Sequence, residues 1–333
     1  MRPIRLSVSL PLLLAVAWTG SVAAQPFQCG RMGGDFTYGL EANVAGLDMQ
    51  ANSAASVRDI AMNTYETLVT RDEHMKPLLQ LALSADTGAD GKTVTFKLRE
   101  GVHFHNGKLM TSADVRASFE RYARVGVDRS ILAPVERYET PDPSTLVMVL
   151  KEPRPTFIEA MSSITVPIII IPAENKDAPA QQLPSTGTGP FQMEQFVADS
   201  YVKLKRFPGY TPDTRYTDLD GFGGYKVACL DSVTFRMVPE SGARVAGLET
   251  GELQGVEDVP TIAQKRIGAN QEIRLLKPRP WVPVGRISYR PFTSALSCQK
   301  KADTRLAISS FGRHQDDPPR YVRDGLVATT AAP

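Results

Sequence analysis

Asp90-Gly91-Lys92-Thr93-Val94-Thr95-Phe96-Lys97-Leu98 decides the fold class. Thr93, Thr95 and Lys97 alternate with Val94, Phe96 and Leu98, the two-residue period of a strand with one face in a core. Asp90-Gly91 before it is a hairpin signal, because Gly accepts the left-handed backbone of a tight β-turn. The period then changes. Thr111-Ser112-Ala113-Asp114 opens a helix carrying Val115, Phe119 and Tyr122, with a hydroxyl cap and an acid three residues on. That is a capping box in which Asp replaces the usual Glu. Strand and amphipathic helix in succession predict a mixed α/β protein.

Working outward, Asp35–Leu40 reads as a short strand, residues 43–53 as a loop, and residues 54–68 as a helix. Val57, Ile60, Ala61, Thr64 and Leu68 would share one face of it. On the other side, Pro141-Asp142-Pro143 predicts a turn and Thr145–Leu150 the strand that leaves it. Pro153 and Pro155 end that strand, Phe157–Met161 begins a helix, and residues 168–171 between Pro167 and Pro172 read as a buried strand. Residues 173–185, rich in Ala, Gln and Pro, read as a linker or an edge crossing. Tyr201–Arg206 and residues 232–238 alternate as strands, and residues 242–250 form a short helix stopped by Gly251. No repeat period appears, which argues against a solenoid.

The chain has 333 residues, enough for one large domain or two to three smaller ones. Its 38 basic and 36 acidic side chains leave a net charge of +2, so nucleic-acid binding has no electrostatic footprint. At the N-terminus, Arg2 and Arg5 precede an apolar stretch from Leu6 to Trp18 and the small residues Val22-Ala23-Ala24. That order predicts a secretory signal peptide over residues 1–24, with an apolar run too short to span a bilayer. Cys29, Cys229 and Cys298 permit one disulfide in an oxidising compartment, but their odd count and wide spacing build neither a disulfide framework nor a metal site.

Several segments together resemble the extracellular solute-binding proteins (family 5) of peptide/nickel-type ABC transporters. Tyr65-Glu66-Thr67-Leu68-Val69 resembles the helix end after the first ligand loop. The stretch from Asp90 through Lys108 is similar to the family's most recognisable passage, and Thr111 to Val115 to the next helix start. Gly187-Thr188-Gly189-Pro190-Phe191 resembles the glycine turn before a return strand, and Val245 to Leu253 the helix before the crossing to the second lobe. The resemblance runs from Asp35 to about Leu276. Trp281 and Pro291-Phe292-Thr293 echo it faintly, and from Ser294 on no motif matches.

The resemblance implies a periplasmic-binding-protein-like fold, type II and peptide-binding class. A discontinuous first lobe would use residues 25–62 and 185–293, with a small α/β domain inserted over residues 63–184. Residues 294–333 are expected to be a divergent, poorly ordered tail, and the second lobe to be missing from a chain cut short. The expected ligand-binding residues are Asn52, Ser53, Ala54 and Ala55 in the first loop and Gly187, Thr188 and Gly189 in the glycine turn. Expected partners are a short peptide or other small solute and the membrane permease of an ABC transporter, with the protein a periplasmic monomer.

No catalytic residue, cofactor or metal is expected. His103 and His105 would share one face of a strand, yet no third ligand accompanies them. No serine elbow, HExxH or phosphate loop occurs. Glu257-Asp258 reads as a solvated turn. The alternatives are an inactive remnant that binds nothing and a secreted hydrolase whose triad is dispersed in sequence.

Overall fold

The computed structural model describes residues 25–276 and 305–309, with Leu276 and Arg305–Ser309 as backbone. The expected signal segment, residues 1–24, lies outside them. In chain order the first half contains β1 (Asp35–Leu40), α1 (Ala55–Ala61), β2 (Val69–Arg71), β3 (Pro77–Leu79), β4 (Ala82–Thr87), β5 (Thr93–Leu98), α2 (Ser112–Val125), β6 (Val135–Asp142), β7 (Thr145–Leu150) and α3 (Phe157–Met161). The second half contains β8 (Phe191–Val197), β9 (Tyr201–Arg206), β10 (Leu219–Asp220), β11 (Gly223–Gly224), β12 (Ser232–Met237), α4 (Ser241–Thr250), β13 (Gly255–Val259), α5 (Thr261–Ala269), β14 (Ile273–Leu276) and β15 (Arg305–Ser309).

Two sheets carry most of these strands, and β2-β3 and β10-β11 form two-stranded pairs. The larger has seven, in the order β14-β15-β13-β1-β12-β9-β8, and the smaller has four, β4-β5-β7-β6. The smaller sheet is antiparallel. Its β5 follows the expected alternation: Val94, Phe96 and Leu98 are buried in one core with Val115, Phe119 and Tyr122 of α2. The Asp114 carboxylate starts α2 by accepting from Thr111 N and Thr111 Oγ1, each at 2.9 Å. Its other oxygen accepts from Ala173 N at 2.8 Å, so the same acid anchors the crossing chain.

In the larger sheet β1 is parallel to β12 and β13, and β9 pairs antiparallel with β12. Phe36, Tyr38 and Leu40 of β1 pack into a core with Val57, Ile60 and Ala61 of α1. Gly39 points the other way: a Cβ there would meet Leu253 at 2.9 Å and Val256 at 3.3 Å. Val245, Leu248 and Ile267 of α4 and α5 join those two residues in a separate core. Hence α1 covers one face of the sheet, and α4 and α5 cover the other.

Three expectations are corrected. Residues 168–171 are buried but form only one bridge, Ile169 to Thr67. Their remaining backbone groups are satisfied elsewhere: Ile170 N donates to Glu66 O, Ile171 N to Ser118 Oγ, and Ile169 O accepts from Gln50 Nε2. The alternation is real. Ile168 and Ile170 enter the core of the smaller sheet, while Ile169 and Ile171 enter that of the larger one. The helix expected over residues 54–68 stops at Ala61, because Asn63 Nδ2 donates to Asp59 O at 2.7 Å and Ile60 O at 3.3 Å and caps its carbonyls. Val69 then enters strand β2, not a helix end. Finally, residues 305–309, within the tail expected to be divergent and poorly ordered, form β15 between β13 and β14, parallel to both.

Cys29 and Cys229 form a disulfide with Cα atoms 5.6 Å apart and 200 residues between them in sequence. Closing a loop that long constrains the unfolded chain, a contribution of roughly 2–5 kcal/mol. Cys298 lies outside the described residues.

Candidate functional site

Parallel strands gather their carboxyl ends on one edge, and ligands of open α/β sheets bind outside that edge where neighbouring connections leave to opposite faces. Here that point is β1. Its following chain leads to α1 on one face, while β12 and β13 lead to α4 and α5 on the other. Glu41 follows β1, Glu257 and Asp258 lie in β13, and Asp59 comes from α1. Four carboxyl groups thus converge on buried Arg244, with Arg58 next to Asp59 on α1.

That arginine, Arg244, is 2% exposed and ties the two strand ends together. Its Nη1 donates to Val238 O at 2.8 Å and Pro239 O at 2.9 Å, its Nε to Glu257 O at 3.2 Å, and its Nη2 to Asp258 Oδ2 at 3.4 Å. With the guanidinium directed mostly at carbonyls, little of its charge is left for four acids. Burial pushes the Glu257 carboxyl up to about 7, with Asp59 and Glu41 adding repulsion, although Glu41 N donates to Glu257 Oε1 at 2.7 Å. Burial likewise pushes Asp59 up to about 6, against the opposing pull of the neighbouring Arg58. Glu41 is raised by burial and by a hydrogen bond shared with the Asp258 carboxyl. Asp258 holds a left-handed backbone, φ +52°, a strained conformation for a residue with a Cβ. The reading of Glu257-Asp258 as a solvated turn is therefore corrected: Glu257 is a half-buried strand residue.

The first expected ligand stretch lies at this same edge. Asn52 Oδ1 accepts from Ala54 N at 2.9 Å and shapes the entry to α1, and Ser53, Ala54 and Ala55 are exposed. Ala55 and Asp59 are four residues apart on α1 and share its face. The second stretch lies elsewhere. Gly187, Thr188 and Gly189 are buried, and a Cβ on Gly187 would sit 2.1 Å from Thr64 O, one on Gly189 2.5 Å from Asn63 O. Thr188 Oγ1 donates to Glu66 Oε2 at 2.9 Å. Close backbone approach accounts for both glycines. The structure does not bring the two stretches together on one surface.

The histidines also part. His103 is exposed, with Nδ1 3.1 Å from Gly101 O. His105 clasps the glycine turn: Nδ1 accepts from Gly187 N at 3.2 Å, so Nε2 carries the proton and donates to Gly189 O at 3.0 Å. Burial pushes His105 down to about 4. Among the described residues no group of three or more His, Cys, Asp or Glu could hold a metal ion. Glu41 and Asp59 escaped the sequence reading. Their signal was positional, one the first residue after a strand and the other one turn beyond the expected loop.

Comparison with known proteins now has a frame. Residues 76–310 match the family described as bacterial extracellular solute-binding proteins, family 5. The match therefore passes Leu276, where the resemblance was expected to fade, and the last faint echo at Thr293. The glutathione-binding protein GsiB of Shigella dysenteriae is 29% identical over 261 residues, 77% of this chain and 48% of that protein. The chain spans about half the length of the curated relatives it matches. Among solved structures, the nickel ABC transporter protein of Bacillus halodurans is 30% identical with a TM-score of 0.58, over 71% of this chain and 46% of that one. The periplasmic binding protein AgaA of A. tumefaciens R10, in complex with agropinic acid, is 26% identical with a TM-score of 0.61, over 72% and 46%. The architecture is thus that of periplasmic binding proteins of the peptide class, and the chain belongs to the bacterial extracellular solute-binding proteins of family 5.

Proposed function

We propose that this chain is the periplasmic solute-capturing component of an ABC importer for short peptides or related solutes that carry an amino or other cationic group. The observation that carries this reading is the open carboxyl edge at β1, where Glu41, Asp59, Glu257 and Asp258 outnumber Arg244 and Arg58 beside exposed Ser53, Ala54 and Ala55. A cation arriving there relieves repulsion among acids, so ligand charge and site charge are complementary. The Cys29–Cys229 disulfide fits an oxidising compartment, and the apolar N-terminal run fits export. Relatives described as a glutathione-binding protein, a nickel ABC transporter protein and a binding protein in complex with agropinic acid fit a site for small polar solutes.

A lobed binding protein closes around its ligand and draws affinity from both walls. In this reading the described residues supply one wall of such a site, and the captured solute passes to the membrane permease. Isothermal titration with a panel of di- and tripeptides and glutathione tests the reading. Saturable binding that weakens in Glu257→Gln and survives in Ser53→Ala with altered preference supports it. No saturable heat with any solute, from a protein that melts cooperatively, supports instead an inactive remnant.

A further inference from the structure

The loop that leads to Asn52 and Ser53 is gripped from α2, a helix packed on the smaller sheet. Arg121 of α2 is fully buried, and so are Asp48 and Gln50 of the loop. The guanidinium donates Nη2 to Asp48 Oδ2 at 2.7 Å and Nη1 to Gln50 Oε1 at 2.8 Å. It also holds a second segment, with Nε donating to Ala178 O at 3.1 Å and Nη2 to Pro179 O at 3.0 Å. One buried cation thereby fixes residues 178–179 against residues 48–50.

Gln181 follows in that second segment, and it is not an ordinary surface residue. Its backbone is left-handed, φ +64°, a region that favours glycine. Its N donates to the buried Asp48 Oδ2 at 2.9 Å. The residue is exposed, yet its side chain is tied down, with Nε2 donating to Ala51 O at 2.9 Å beside Asn52. A surface glutamine ordinarily samples many rotamers, and fixing one costs entropy. Here backbone and side chain are both fixed, which leaves Oε1 as an oriented acceptor. Among the described residues nothing donates to it. Strained backbone of this kind gathers where chain is held ready for a ligand.

We propose that Gln181 is a specificity-determining contact of the solute site, its Oε1 accepting a hydrogen bond from an amide N–H of a bound peptide. The proposal rests on the importer reading, in which Asn52 to Ala55 line that site. Charge divides the work. The carboxyl groups at the β1 edge match an ammonium, while a neutral carbonyl oxygen matches an uncharged amide N–H. Because the bonds to Asp48 and Ala51 already order Gln181, little freedom is lost when a peptide arrives.

Isothermal titration of the full chain with trialanine tests this, alongside analogues in which one amide N–H at a time is replaced by an ester oxygen. In the unaltered protein one ester analogue should bind about 2- to 10-fold more weakly than trialanine. In Gln181→Gly, trialanine itself should weaken by that factor and the ester penalty should vanish. Glycine adopts φ +64° freely, so the melting temperature of this variant should fall by no more than about 2 °C. A role confined to shaping the loop would weaken trialanine and its esters alike. An equal ester penalty in both proteins, or an unchanged trialanine affinity in Gln181→Gly, overturns this proposal and leaves the importer reading in place. No saturable trialanine binding by the unaltered protein overturns it too, and the wider peptide panel then decides the importer reading on its own.

Discussion

The seam between the two sheets and the carboxyl edge of β1 are both crowded with charge, and they treat it in opposite ways. In the seam, carboxylates are saturated. Asp48 is 2% exposed and receives Arg121 Nη1 at 3.1 Å, Arg121 Nη2 at 2.7 Å and Gln181 N at 2.9 Å. Glu66 has its own three donors, and His105 satisfies both ring nitrogens on one turn. At the edge, acids outnumber donors, and burial with mutual repulsion raises their pKa values. Saturated polar groups fasten pieces of chain together, while undersatisfied groups at an opening await something from outside. The contrast separates scaffold from site where residue type alone does not.

The sharpest way to break that contrast is Arg121→Met, which leaves Asp48 buried without its partner. A loss of about 3–5 kcal/mol in urea unfolding is expected, and Asp48→Leu added to it should recover most of that. A loss under about 1 kcal/mol would mean the seam is not sealed. Next in size is the pH dependence, where the two regions carry opposite signs. His105 has a folded pKa of about 4 against 6.5 unfolded, so below pH 6.5 the unfolded chain binds more protons and stability falls towards pH 4. The full drop approaches about 3 kcal/mol, and His105→Gln should flatten that limb. Glu257 has a folded pKa of about 7 against 4.5, so the folded chain holds the extra proton and stability falls as pH rises through 7, by up to about 3 kcal/mol. Glu257→Gln should remove this second limb and stabilise the protein at pH 8. Melts across pH 4–8 for the three proteins read both signs at once.

Smaller effects sharpen the same comparison. Gly187→Ala must push a methyl against Thr64 O and is expected to lose about 1–3 kcal/mol, since a backbone atom cannot step aside. Ser53→Ala, on the open edge, should move stability by less than about 0.5 kcal/mol. Equal losses at the two positions would erase the distinction between buried turn and open loop.

Much of the scaffold was legible because it rests on local pattern. Residues 93–98 alternate and form β5, Thr111 and Asp114 start α2, and Gly251 ends α4 with φ +83°. The site was less legible. Asp59 and Glu41 were invisible as partners, because only the sheet brings residues 41, 59 and 257 together. The disulfide was equally unreadable, since three cysteines admit three pairings and sequence ranks none of them.

Sequence by itself determined the type of the strongly patterned elements, the α/β class and the family, because hydrophobic period, caps and turn residues act over a few neighbours. Tertiary structure alone decided that Gly187 to Gly189 lie buried beneath residues 63–65, that Ile168 to Ile171 divide between two cores, and that four acids meet at one strand edge. The reason is range: burial and charge interaction depend on distances in space between residues far apart along the chain, and no local pattern encodes those distances.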